Sequence, residues 1–72
     1  MKFFKLELKC KAYTSYLLDL IEIETGEIIA VFQTSTIDKI ELERMVSHLV
    51  KYLYHKDFAL VFKLEEKEKK NG

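Results

Sequence analysis

The chain has 72 residues, with 12 acidic and 12 basic residues and a formal net charge of zero at pH 7. This balance argues against a general binder of polyanions, because such proteins carry an excess of lysine and arginine. A chain of this length forms one domain with a small core and buries only roughly 60% of its unfolded surface.

The sequence contains a single cysteine, Cys10, so disulfides within the chain are excluded, and no cysteine–histidine cluster has zinc spacing. We interpret Cys10 as a buried structural residue in the reducing cytoplasm. No apolar stretch approaches the roughly 20 residues that cross a bilayer. The N-terminus also lacks the pattern of a signal peptide, so we expect a cytoplasmic protein without membrane contact.

The first predicted element is a β-strand over residues 2–11, where side chains alternate between core-facing and mostly charged positions. A period of two is typical of a half-buried strand. We expect the core face to carry Phe4, Leu6, Leu8 and Cys10, and the outer face to carry Phe3, Lys5, Glu7, Lys9 and Lys11.

Residues 16–24 and 27–34 predict two further strands, paired antiparallel through a tight turn at Gly26. The third strand has more apolar residues than one core face needs. We expect Ile28, Ala30 and Phe32 on one side of this strand, and Ile29 and Val31 on the other.

The second strand has two interpretations. Leu18 and Leu20 fall on one face, whereas Ile21 and Ile23 fall on the other. Either a β-bulge lies near residues 19–21, or the strand is central and covered on both faces.

Residues 38–56 predict an amphipathic helix, because apolar residues recur every three to four positions. Asp38 is the expected N-cap: its carboxylate accepts from the N–H of Glu41, and Glu41 reaches back to the N–H of Asp38. Ile37 can pack on Leu42 as a hydrophobic staple. The predicted core stripe comprises Leu42, Met45, Val46, Leu49, Val50 and Leu53.

Residues 57–65 predict a fourth strand, and residues 66–72 a charged, flexible tail. The domain over residues 1–65 is therefore α+β, in the order β-β-β-α-β, with one helix on one face of a four-stranded mixed sheet. A right-handed crossover that sets strand four beside strand one gives the order 3-2-1-4. That connectivity resembles the start of ribonuclease H-like folds and small HicB-type antitoxin domains, although neither the acidic cluster of the former nor the Pro-Gly-Cys turn of the latter is present.

The sequence predicts no catalytic, cofactor or metal site. His48 and His55 lie two helical turns apart, about 10 Å along the axis, which is too far to bind one ion. Two glycines are too few for a phosphate-binding loop, and no nucleophile motif is present.

Lysine and aromatic residues on the first strand are a candidate nucleic-acid surface, because such a sheet can bind phosphates and stack bases. The alternative is that these lysines only protect an exposed strand from aggregation. The candidate contacts are Phe3, Lys5, Lys9, Lys11 and Tyr13.

A single helix covers one face of the sheet, yet apolar residues are also expected on the other face. Exposed apolar patches of this kind mark interfaces, and a second copy of the chain is the simplest partner. A register error of one residue would exchange the two faces. The expected dimer contacts are Phe3, Ile29, Val31, Ala59 and Val61.

The sequence therefore predicts a small, non-catalytic interaction or regulatory module that acts as a homodimer. Another protein is a possible further partner. Single-stranded nucleic-acid binding is the alternative function.

Overall fold

The computed structural model describes residues 1–65 and shows the expected α+β fold. Its sheet has the order β3-β2-β1-β4, in which β2 runs antiparallel to both β1 and β3, and β4 runs parallel to β1. The predicted tail over residues 66–72 lies outside the described residues. The elements are β1 (Lys2–Ala12), β2 (Ser15–Glu22), β3 (Ile28–Thr34), α1 (Lys39–Tyr54) and β4 (Phe58–Lys63).

The core lies between α1 and one face of the sheet, because the apolar stripe of the helix meets alternate residues of the strands. A ring of half-buried side chains surrounds it, including Ile29, Phe32 and Leu60. Leu53 was expected in the stripe but is 47% exposed. The fully buried side chains are Phe4, Leu6, Leu18, Leu20, Leu42, Val46 and Val50.

The start of α1 confirms Asp38 as the N-cap and corrects half of the predicted capping box. Asp38 Oδ2 accepts a hydrogen bond of 3.2 Å from the backbone N–H of Glu41. The backbone N–H of Asp38 donates to Thr36 Oγ1 at 3.0 Å, whereas Glu41 was expected to take that role. The threonine two residues earlier provides a closer acceptor, as in other side-chain turns.

Two tight connections place non-glycine residues in the left-handed region. His55 ends the helix with φ 55° and ψ 31°, and its backbone N–H donates to the carbonyl of Lys51 at 3.0 Å. Tyr13, in the β1–β2 turn, also has φ 55°. In the β2–β3 turn the same region is occupied by Gly26, with φ 74°, as predicted.

Register shifts on either side of β2 explain the apparent irregularity of its sequence. β2 itself alternates regularly and is a central strand. In the β1 pairing, Leu8 is opposite Leu18 but Cys10 is opposite Leu17, so the extra residue lies in β1. In the β3 pairing, the shift falls between Leu20 and Ile21, and the extra residue, Ile29, lies in β3.

These bulges overturn four sequence-based placements, because an extra residue exchanges the faces beyond it. Ile28, expected on the side of Ala30 and Phe32, lies opposite Ile21 on the other face. Cys10, predicted to be buried, is exposed. Lys11 shares a face with Tyr16, and its Nζ lies 5.2 Å from the centroid of that ring. Ile29 packs against the core, where the sequence pattern had placed it on the outer face.

Glu22 is a buried charged residue on the core side of the sheet and is 6% exposed. Lys2 Nζ donates to its Oε2 at 2.9 Å and lies 4.7 Å from the centroid of the Tyr54 ring. The hydrogen bond to Glu22 raises the pKa of Lys2 above 10.5, reinforced by the negative charge of Glu22 and opposed by partial desolvation of the ammonium. This pair closes the end of the core where β2 meets the start of β1.

Candidate interaction face

The sheet face opposite α1, here called the open face, is made of four rows that cross the strands. Side chains directly opposite each other on neighbouring strands share a face, so the pairings define each row. The first row is Ile23, Phe3 and Ala59; the second is Ile28, Ile21, Lys5 and Val61; the third is Val31, Asp19, Glu7 and Lys63; and the fourth is Gln33, Leu17 and Cys10.

Five large apolar side chains on this face are about half exposed. They come from β1, β3, β4 and the residue that follows β2, so the apolar surface extends across the full width of the sheet, about 19 Å at a strand spacing of about 4.8 Å. Within residues 1–65 the helix packs on the other side, and no described element covers them. The five are Phe3 at 55%, Ile23 at 47%, Ile28 at 54%, Val31 at 55% and Val61 at 47%.

Charges occupy the centre of the open face. Lys5 Nζ lies 3.2 Å from Glu7 Oε2, and Glu7 is directly opposite Asp19 on the neighbouring strand. Asp19 Oδ1 is buried and has no hydrogen-bond partner among the described residues. Buried carboxylate oxygens are usually hydrogen-bonded, so this atom requires an explanation.

The structure places four of the five predicted interface residues on the open face. Phe3, Val31 and Val61 are exposed there, and Ala59 is half-buried in the row of Phe3. The fifth, Ile29, is the bulged residue of β3, and Ile28 takes its position beside Ile21. Whether these residues form a dimer contact stays a prediction.

Sequence reasoning missed part of β2 in this surface. Leu17, Asp19, Ile21 and Ile23 all point to the open face, since the strand alternates without interruption. The signal was present in the spacing of two between these residues. It was obscured because the bulge was sought in β2, whereas the extra residues lie in its two neighbours.

The predicted nucleic-acid residues do not form one continuous row. Phe3 and Lys5 lie on the open face, where Lys5 is paired with Glu7. Lys9 is the bulged residue of β1, and Lys11 points to the face of Tyr16. Tyr13 extends from the turn with its side chain 99% exposed.

The two histidines stay apart in the structure. His48 is exposed on the helix, and His55 caps its C-terminal end beside a shallow depression lined also by Met1, Lys51 and Lys56. Over residues 1–65, no three or more histidine, cysteine, aspartate or glutamate side chains are grouped to hold a metal ion. No helix in that range is long and apolar enough to cross a membrane.

Comparison with known proteins identifies no relative: no protein-family model matches the sequence, and neither the curated proteins nor the solved structures include a significant match.

Proposed function

We propose that this protein is a small non-catalytic interaction or regulatory module of the cytoplasm, which acts as a homodimer through its open face. The observation that carries the proposal is the set of five large apolar side chains, each 47–55% exposed, on the side of the sheet that α1 leaves uncovered. Water contact at an apolar surface of this kind is unfavourable, and burial against a partner removes it.

A second copy of the chain fits this surface for two reasons. Its open face has the same width and the same apolar rows, so two copies cover each other across all four strands. The charges on the face are also balanced, since Lys5 and Lys63 are matched by Glu7 and Asp19. A surface with equal numbers of both signs can be complementary to itself, as a twofold interface requires.

The size of the domain also supports dimerisation. Among residues 1–65, seven apolar side chains are fully buried, and domains with small cores commonly gain stability from oligomerisation. Packing of the two open faces would join the two cores through the sheets. A single unpaired cysteine supports the cytoplasmic location, where thiols remain reduced.

The helices point outward in such a dimer and are accessible to another protein. Ile40 and Tyr52 are 71% and 77% exposed on that outer surface. We propose that any regulatory partner docks there, because the open faces are occupied by each other.

The experiment is a measurement of molar mass by light scattering at tens of micromolar, with two glutamate substitutions of exposed apolar residues. Val31→Glu inserts a charge into the open face and is expected to give a monomer. Ile40→Glu is the matched control on the helix and is expected to stay dimeric. A wild-type protein with the mass of a monomer would contradict the proposal.

Single-stranded nucleic-acid binding is a second candidate, and the β1–β2 turn favours it. Tyr13 presents its ring fully to solvent from a left-handed backbone, and both Lys9 and Lys11 are exposed on the strand that precedes it. An exposed ring flanked by lysines can stack a base and contact phosphates. Titration with labelled oligonucleotides at low salt tests this candidate: Tyr13→Ala should weaken binding, and no binding by the wild type would exclude it.

A further inference from the structure

We infer that Lys5 and Asp19 determine how two copies of this chain align, with Lys5 of each subunit donating to the acidic pair that Glu7 and Asp19 form on the other. The inference rests on the proposed dimer and extends it to a specific register. It starts from the buried Asp19 Oδ1, which has no hydrogen-bond partner within residues 1–65.

No side chain of residues 1–65 donates to Asp19 Oδ1 within its own subunit. Its neighbours across the sheet are Glu7 and Val31, neither of which has a side-chain donor. Lys5, one row away, directs its ammonium to Glu7 at 3.2 Å. Oδ1 is already buried within its own subunit, so the oxygen that a partner can reach is Oδ2. Covering that oxygen with an apolar surface would be costly unless the partner supplies a donor.

Symmetry leaves two simple ways to stack the open faces with their strands aligned. Stacked sheets usually keep their strands within about 30° of each other, and the twofold axis of a face-to-face dimer lies between the sheets. The axis therefore runs either along the strands or across them.

An axis along the strands brings like charges together. Each row then meets the same row of the other subunit in reversed strand order, so Asp19 lies over the second subunit's Glu7. This contact occurs twice in a symmetric dimer. Two carboxylate pairs in a desolvated interface are strongly unfavourable.

An axis across the strands, between the second and third rows, brings opposite charges together. Each strand then meets its own copy in the reverse direction, so Lys5 lies over the second subunit's Glu7. The second subunit's Asp19 lies beside that Glu7, on the neighbouring strand. Sheets pack about 10 Å apart, a gap that a lysine and a carboxylate extended toward each other can bridge. Ile28 meets Val31 at the edge, which is an apolar contact.

The arrangement also accounts for the ion pair within each subunit. Lys5 and Glu7 lie two positions apart on one strand and neutralise each other on the free face. In the dimer the same ammonium group can turn from its own Glu7 toward the opposite acidic pair. Charges that are satisfied in both states lower the cost of desolvation.

The test is charge reversal in the full chain, with dimer dissociation constants from sedimentation over a concentration series. Lys5→Glu and Asp19→Lys are each expected to weaken the dimer at least about tenfold, because each sets like charges against each other. The double variant Lys5→Glu with Asp19→Lys is expected to recover part of that loss, because Lys5→Glu still faces Glu7 of the other subunit. Glu43→Lys, an exposed charge reversal on the helix, is the control and should leave the dissociation constant unchanged.

The inference would be overturned by single reversals that leave dimerisation intact, or by a double variant as weak as the two single losses combined. Asp19→Asn, which keeps the shape of the side chain, gives a second measurement if a reversal prevents folding, and it should also weaken the dimer. If Val31→Glu dissociates the dimer and Asp19→Asn leaves its dissociation constant unchanged, only the proposed register is refuted. A wild type that stays monomeric would refute the proposed function itself.

Discussion

The ammonium group of Lys2 lies 2.9 Å from the carboxylate of Glu22, a residue buried on the same sheet face as Phe4 and Leu20. The pair joins the first strand to the end of the second. Because the carboxylate is almost inaccessible to solvent, its interaction with Lys2 and with the hydroxyl of Thr25, 3.4 Å away, replaces its hydration.

Replacing Lys2 with methionine is expected to destabilise the fold, since Glu22 then stays buried without its cationic partner. The chemical denaturation midpoint of Lys2→Met should fall below that of the wild type at pH 7. Lys51→Met, an exposed lysine on the helix, is the matched control and should change the midpoint much less.

The contribution of Lys2 also predicts a pH dependence. Its hydrogen bond to Glu22 raises the pKa of Lys2 in the folded protein above the ordinary value of 10.5. Stability from the pair is therefore complete below that pH and is lost as the pH rises through the folded-state pKa. The difference in unfolding free energy between wild type and Lys2→Met should be constant from neutral pH to about 10 and shrink above it. An unchanged difference above pH 11 would contradict this prediction.

The helix N-terminus gives a prediction that separates the two halves of a capping box. Asp38→Ala removes the acceptor for the N–H of Glu41 and should cost about 1 kcal/mol of stability. Glu41→Ala should cost less, because Thr36 and not Glu41 receives the N–H of Asp38. Urea denaturation of both variants measures the two losses of stability. Equal losses would show that Glu41 contributes to the cap as a full capping box requires.

Replacing either of two histidines in or next to the helix with glycine is expected to change stability, in opposite directions. His55→Gly relieves a non-glycine residue of its left-handed backbone and should stabilise the protein by up to about 1 kcal/mol. His48→Gly, in the helix interior, should destabilise it by about 1 kcal/mol. Thermal unfolding monitored by circular dichroism is the measurement. A loss of stability with both variants would show that the side chain of His55 is needed at the helix end.

The exposed thiol of Cys10 provides a probe of the proposed dimer. Cys10 lies in the fourth row of the open face, so a thiol reagent should modify the folded protein rapidly when it is dilute. Modification should slow as the protein concentration rises and the faces are covered. With Val31→Glu the rate should stay high at every concentration. A rate independent of concentration in the wild type would argue against coverage of this row.

The element order and the sheet topology could be predicted because each depends on patterns that extend over many residues. The helical stripe ending at Val50 and the alternation of Phe4 and Leu6 each persist over several turns or positions. Asp38 was predictable as a cap because its role depends on its nearest neighbours. Each of these features depends on residues that are close together in the chain, so it can be predicted from the sequence.

The faces of individual residues beyond each bulge could not be predicted. An extra residue at Lys9 or Ile29 is visible only in the pairing with β2, and no glycine marks either position. The burial of Glu22 was also hidden, since it depends on a lysine from the start of the chain. Such contacts between distant segments have no periodic signal.

The pairing of β1 with β4 has a consequence for biosynthesis. Phe4 and Leu60 are neighbours in the sheet, although they lie near opposite ends of the described chain. Synthesis must therefore pass Lys63 before β1 gains its parallel partner, and the β1–β3 meander emerges from the ribosome with one edge of β1 unpaired. Such edges aggregate readily. The lysines along β1 then protect the nascent chain during the interval before its last strand arrives.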